Sequence, residues 1–267
     1  MRFLSRRRRS PGAKPLTLLF ALFLMGAIYS VVSPAQQVAA DTTKDAQIAQ
    51  GKALFDVTCS SCHGLNAEGG SQGPSLIGVG AASVDFQMGT GRMPLAHPGA
   101  QAVRKPVTYT ADEIAAIAAY VADLAPGPAI PDPEVYSGEG LTEEEIARGG
   151  ELFRTNCSAC HNFEGSGGAL PGGKYAPTLK GVANRHIYSA IRIGPQQMPV
   201  FSKGALTDAD VNEIIGYLNQ LHAQPSQGGF DLGGIGPVSE GFWGWLVGMG
   251  SLVGVAIWLA KKGARAK

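Results

Sequence analysis

The chain has 267 residues, a net charge of +1 and nearly matched basic (22) and acidic (21) residues. That length accommodates two small domains with attachments, and the balance of charge speaks against a nucleic-acid surface. Thirty-seven glycines and 17 prolines point to short helices tied by long ordered loops. Domains of such a size bury little apolar area unaided.

The first 14 residues carry Arg2, Arg6, Arg7, Arg8, Arg9 and Lys14, followed by the uncharged run Leu16 to Val32. Val38-Ala39-Ala40 then offers small residues at a cleavage site before Asp41. Residues 1–40 read as a secretory signal or an uncleaved signal anchor, and both stay open. The run is slightly long for a signal core and slightly short for a membrane span. The arginines lack the Phe-Leu-Lys sequel of a twin-arginine signal. Either form keeps them in the cytoplasm and sends the domains after it outside.

Residues 43–124 form one unit and 142–222 another, and each carries the same motif. Cys59-Ser60-Ser61-Cys62-His63 and Cys157-Ser158-Ala159-Cys160-His161 match the attachment sequence of a c-type haem. Two thiols add across the porphyrin vinyl groups, and the adjoining histidine is set under the iron. The motifs use all four cysteines of the chain. A zinc ribbon would set its pairs about 15–20 residues apart, whereas Cys59 and Cys157 are 98 apart. A thioredoxin-like pair needs a βαβ setting, and disulfide use would not put a histidine after both pairs.

The two units align beyond the motif. Gly51, Leu54 and Phe55 correspond to Gly149, Leu152 and Phe153, and Pro74-Ser75-Leu76 corresponds to Pro177-Thr178-Leu179. Met93-Pro94 matches Met198-Pro199, and the run from Thr110 through Tyr120 matches that from Thr207 through Tyr217. Each copy reads as helix, haem loop, long Gly/Pro loop, methionine and helix. Thr110 with Glu113 and Thr142 with Glu145 are capping boxes. Ile114, Ile117, Val121 and Leu124 form an apolar stripe at helical spacing, as do Val211, Ile214, Ile215, Leu218 and Leu221. With no alternating strand pattern of useful length, the expected fold is all-α.

Residues 125–141, beginning Ala125-Pro126-Gly127-Pro128, read as a proline-stiffened linker between the copies. Residues 223–241 form a Gly/Pro tether to a transmembrane helix over 242–260, with Trp243, Trp245 and Trp258 near its ends. The basic tail 261–267 places the C-terminus in the cytoplasm. Gly244/Gly248 and Gly250/Gly254 are spaced for close helix packing in lipid.

His63 and His161 are the expected proximal ligands, each needing an acceptor for its second ring N–H. The carbonyls of Pro74 and Pro177 are the candidates. Met93 and Met198 are the expected sixth ligands, being the methionines that align between copies. A thioether favours ferrous iron and raises the reduction potential. Met88 and His97 remain local rivals to Met93. His97, His186 and His222 lack counterparts and suit solvated or packing roles. Arg185, Arg192, Tyr188 and Lys174 are candidates to bond haem propionates. No catalytic carboxylate pair, nucleophile triad or nucleotide loop is present in the sequence.

These residues resemble class I cytochrome c. Gly51-x-x-x-Phe55-x-x-x-Cys59 and Gly149-x-x-x-Phe153-x-x-x-Cys157 look like that family's N-terminal helix. Ile117-x-x-Tyr120 and Ile214-x-x-Tyr217 look like its C-terminal helix, and the resemblance implies that the two helices cross at the glycine. Gly73-Pro74-Ser75-Leu76 resembles the family's Gly-Pro-x-Leu loop, with Ala176 replacing the glycine in the second copy. The whole chain is similar to the di-haem cytochrome c subunit of the actinobacterial-type cytochrome bcc complex. That resemblance implies two covalently bound haem c groups and partnership with a cytochrome b subunit and a Rieske iron–sulfur subunit. It also implies electron delivery from menaquinol oxidation to an aa3-type cytochrome c oxidase, as part of a quinol–cytochrome c reductase with no substrate site on this subunit. Two other readings keep the haem chemistry: a carrier for another dehydrogenase or a cbb3-type oxidase, and a di-haem peroxidase with one open iron.

Overall fold

A computed structural model describes residues 13–32, 35–224 and 241–265. Arg2, Arg6–Arg9, the side chains of Val38–Ala40, the tether from residue 225 to 240 and Lys267 lie outside the described residues. The chain divides into two compact units, Met1–Ala49 and Gln50–Lys267. The first holds α1 (Ala13–Val32), whose side chains from Leu16 to Ile28 are exposed and largely apolar. It also holds the start of α2 (Ala35–Thr58), which ends in the second unit.

In the second unit, the first copy continues with α3 (Ser60–His63), α4 (Gly80–Gly89) and α5 (Ala111–Leu124). The second copy holds α6 (Glu143–Asn156), α7 (Ser158–His161), α8 (Asn184–Ile193) and α9 (Asp208–Ala223). All-α architecture is the result, with one addition: β1 (Gly168–Leu170) and β2 (Lys174–Ala176) pair antiparallel, Ala169 opposite Tyr175. Three-residue strands are too short to show alternation in a sequence. The hairpin occupies extra length, because 16 residues separate His161 from Pro177 where 11 separate His63 from Pro74.

The helix starts are fixed locally. Thr110 and Thr142 each accept an N–H from the glutamate three residues on, and each glutamate accepts the threonine N–H in return. Thr207 and Asp210 form the same box with a shorter acid. The cores are fixed by the stripes. Ile114, Ile117 and Val121 are buried in the first copy, and Val211, Ile214, Ile215 and Leu218 in the second. Phe55 and Phe153 are fully buried, stacked at a tilt on Tyr120 (5.2 Å between centroids) and Tyr217 (5.9 Å). Each such phenylalanine contributes about 1.5–3 kcal/mol by leaving water.

One glycine in each copy sets how closely the first and last helices approach. A Cβ on Gly51 would lie 1.9 Å from the Ala116 carbonyl oxygen, and one on Gly149 would lie 2.1 Å from that of Glu213. Only hydrogen fits between the two backbones. The second crossing is flanked by Arg148, whose guanidinium grips Asp210 and Glu213. Both carboxylates are buried while the arginine stem stays half exposed.

The segment between the copies is strapped down at both ends. Ala82 N–H donates to Pro128 O (3.0 Å), Gly138 N–H to Asn212 Oδ1 (2.8 Å), and Asn184 Nδ2 to Ser137 O (2.9 Å). Past the second copy, a helix over Gly241–Gly263, 23 residues long and exposed throughout, is long and apolar enough to cross a bilayer. It passes through a π-helical stretch, Gly244–Met249, into α10 (Gly250–Arg265), and Lys262 Nζ lies 4.2 Å from the Trp258 ring centroid.

Gly51→Ala and Gly149→Ala each force two backbones apart, at or above the ~1–3 kcal/mol that overpacking costs. Thermal unfolding followed by circular dichroism is expected to show a large loss for both. Gly204→Ala, where the nearest atom to an added Cβ is 3.7 Å away, is expected to be near neutral.

Candidate functional site

The motif turn begins where α2 runs out. Cys59 N–H still donates to Phe55 O (2.8 Å), and the N–H groups of Cys62 and His63 both reach back to Cys59 O (3.2 and 3.0 Å). The second copy repeats this, with Cys160 and His161 bonded to Cys157 O at 3.2 and 2.9 Å. A single turn of this kind puts residues three apart on one side, so both sulfurs of each pair face one cleft. The chain leaves the turn through a positive φ, at Gly64 (83°) and at Asn162 (64°). Glycine meets no steric penalty there; Asn162 instead accepts the Phe163 N–H on its own side-chain oxygen at 2.7 Å.

The two histidines are held alike. His63 Nδ1 lies 2.7 Å from Pro74 O, and His161 Nδ1 lies 3.0 Å from Pro177 O. A carbonyl oxygen can only accept, so the ring nitrogen must be the donor. That fixes the tautomer and leaves Nε2 with its lone pair free for a metal. Burial holds the His161 imidazole below its ordinary value, against the opposing pull of the Pro177 carbonyl. A neutral ring is what iron ligation requires. Burial also raises the Cys59 thiol, and pushes that of Cys157 up to about 11.

Each cleft gathers a full donor set. Cys59, Cys62, His63 and Met93 line the first, and Cys157, Cys160, His161 and Met198 line the second. The walls are mainly apolar, including Leu76, Val84 and Ile117 in the first and Leu179, Phe201 and Ile214 in the second. Paired thiols, a tautomer-fixed imidazole and a thioether on an apolar cleft suit a covalently held iron porphyrin. Met88 and His97 also line the first cleft. Met88 is buried on α4, Met93 is half-buried in the loop and His97 is exposed.

Three of the four residues considered for haem propionates are engaged elsewhere. Arg192 donates to Phe201 O (3.0 Å), Leu206 O (2.7 Å) and Asp208 (2.6 Å), and Tyr188 donates its hydroxyl to Asp208. Arg185 sits 3.2 Å from Asp85, on α4 of the other copy. Only Lys174 lines a cleft, the second. His186 is buried against Phe86, edge to face, and His222 Nε2 lies 2.9 Å from Glu164 O. Sequence reasoning missed that the first copy supplies part of the second cleft, through Phe86, Arg92, Gln101 and Arg104. Nothing in the spacing of those residues signals it.

A family model described as "Cytochrome c" matches residues 48–125, and one described as "Cytochrome C oxidase, cbb3-type, subunit III" matches residues 144–218. Two helical domains, each with a haem-attachment turn on an apolar cleft, and one helix of spanning length define a membrane-associated c-type cytochrome with two covalently bound haem c groups. The chain is 43% identical to the cytochrome bc1 complex cytochrome c subunit of Corynebacterium efficiens, covering 96% of this chain and 90% of that one. It is 44% identical to that of Mycobacterium tuberculosis (96% and 92% covered) and 42% to that of Corynebacterium diphtheriae (96% of each). It belongs to the family of cytochrome bc1 complex cytochrome c subunits, respiratory electron-transfer cytochromes.

Asp208 gathers Lys203, Tyr188 and Arg192, and hydrogen bonds from them, Lys203 foremost, hold its carboxyl at about 2. A carboxylate depressed in the folded state stabilises fully above its ordinary range and loses that contribution as pH falls through the folded value. Asp208→Asn is therefore expected to lower the melting temperature at pH 7 and to flatten the acid-induced loss between about pH 4 and pH 2. Thermal melts across that range read both effects.

Proposed function

We propose that this chain is a membrane-anchored relay within a menaquinol-oxidising complex. It takes electrons from the Rieske iron–sulfur subunit, beside a cytochrome b subunit, and passes them to an aa3-type cytochrome c oxidase. In this reading it is the electron-transfer subunit of a quinol–cytochrome c reductase and has no substrate site of its own. The observation that carries it is likeness over 96% of the chain to bc1 complex cytochrome c subunits. A haem c supplies a one-electron ferric/ferrous couple; all else is the work of the chain.

Residues 43–124 and 142–222 are the two haem domains in this proposal. Cys59 and Cys62 hold the first haem as thioethers, and Cys157 and Cys160 the second. His63 and His161 are the proximal ligands, oriented by the Pro74 and Pro177 carbonyls. Met93 and Met198 cap the opposite positions, where soft sulfur raises the potential. With a histidine and a methionine offered to each iron, neither iron would be left open to oxygen or peroxide. The export segment within residues 1–40 and the helix over 242–260 place the haem domains outside the cytoplasm and the basic tail 261–267 within it. Tethering raises the concentration of each domain at its partner, so weak docking suffices.

The cbb3-type match over residues 144–218 favours a second reading, in which the same relay serves an oxidase of that type. Purification in mild detergent separates the two. Cytochrome b, Rieske and aa3-type subunits are expected with the chain, and recovery with a cbb3-type oxidase or a dehydrogenase alone would sink the main proposal.

The ligands have their own test. Cys59→Ala/Cys62→Ala and Cys157→Ala/Cys160→Ala are each expected to halve the haem content measured as pyridine haemochrome. Met93→Leu and Met198→Leu are each expected to remove one share of the far-red methionine–ferric absorption, while His97→Ala and Met88→Leu keep it. Loss in Met88→Leu instead of Met93→Leu would reassign the first haem's sixth ligand.

A further inference from the structure

The two copies meet through α4 and α8, and the contact is specific. Gln101 donates to Tyr175 O (2.6 Å) and accepts from Tyr175 N–H (3.0 Å), docking on the free edge of β2. Gln196 returns the arrangement, donating to Ala102 O (3.1 Å) and accepting from Ala102 N–H (3.3 Å). Phe86 stands edge-on to His186, and a Cβ on Gly89 would lie 2.8 Å from that imidazole. Two reciprocal amide pairs leave little freedom for one copy to slide on the other.

This docking carries a charge into the second cleft. Arg92, of the first copy, lines the second cleft although its chain neighbour Met93 lines the first. Arg92 is only 9% exposed. Among the described residues it makes no ion pair and its guanidinium has no hydrogen-bond acceptor; the Phe86 ring lies 4.9 Å from the guanidinium carbon. A guanidinium on so buried a side chain is costly to leave that way unless an anion meets it. Arg104, also of the first copy, lines the same cleft and donates to Gly181 O at 3.4 Å. Lys174 completes three basic residues on this cleft, and no acidic residue lines it. The first cleft is lined by no Lys, Arg, Asp or Glu at all.

We infer that Arg92 and Arg104 of the first domain bind the propionate carboxylates of the haem attached in the second. The anion that would meet them is thus part of the cofactor. A guanidinium presents paired N–H donors that match a carboxylate, and the apolar walls strengthen the pairing. The second haem site is complete only when the first domain is docked on it, and the segment Arg92-Met93 belongs to both sites at once. This rests on the second haem being held at Cys157 and Cys160.

A redox titration of the full-length holoprotein in detergent, followed optically, tests it. The wave that survives in Cys157→Ala/Cys160→Ala belongs to the first haem, which assigns both waves. If that variant still carries two haems, the attachment reading has failed and this inference falls with it. Ferric haem carries one more positive charge than ferrous, so a nearby guanidinium favours the reduced form. Arg92→Gln is expected to shift the second wave to lower potential and leave the first in place. Arg92→Lys, which keeps the charge, is expected to restore part of the shift. Arg104 is exposed, so Arg104→Gln reads the same wave without risk to folding. Movement of the first wave alone in Arg92→Gln, or no movement of the second in both Gln variants, overturns the inference.

Discussion

At Gly51 and again at Gly149, two helices touch backbone to backbone, and the haem-attachment turn hangs from that contact. Each glycine lies two turns of helix before the motif, so the depth of the crossing decides where the helix ends and which way its final turn faces. The phenylalanine one turn further on, Phe55 or Phe153, is then driven into the core beneath the cleft. A side chain at the crossing would lift the helix and carry both cysteines and the histidine away with it. Small domains have little apolar area to spare, so an enclosed haem is as much a part of the core as the helices that hold it.

The histidines illustrate how little machinery the site needs. A proline carbonyl, 11 residues on in one copy and 16 in the other, fixes each imidazole in one tautomer. The difference of five residues is taken up by the β1–β2 hairpin without disturbing that bond, and the hairpin's strand β2 becomes the edge on which Gln101 docks. Duplication kept the histidine–carbonyl geometry and let the surrounding loop take on a second task. The clefts have diverged in charge as well: one is neutral, the other ringed by cations from both domains.

Most of the fold was legible because its determinants are local in sequence. Thr-x-x-Glu boxes, apolar stripes of period near 3.6 and a five-residue motif each report on neighbours along one helix. The repeat supplied the rest, since Met93 gained meaning from its alignment with Met198. What stayed hidden depends on which way side chains point between domains. Arg192 and Tyr188 looked available for the haem and instead brace Asp208. Arg92, beside a ligand candidate of one cleft, points into the other. The Thr207–Asp210 box was less visible because aspartate replaces the usual longer acid.

The ion cluster around Arg148 sits only in the second copy. The aligned positions in the first are Gln50, Glu113 and Ala116. A chain made of two near-copies faces a hazard while it is being synthesised, because the leading helix of one repeat can seat against the closing helix of the other. Such a swapped pair would leave Asp210 and Glu213 facing Gln50, two carboxylates shut in without a cation. The right partners are thereby told apart from the wrong ones by charge, at the very spot where the shape of the crossing is identical.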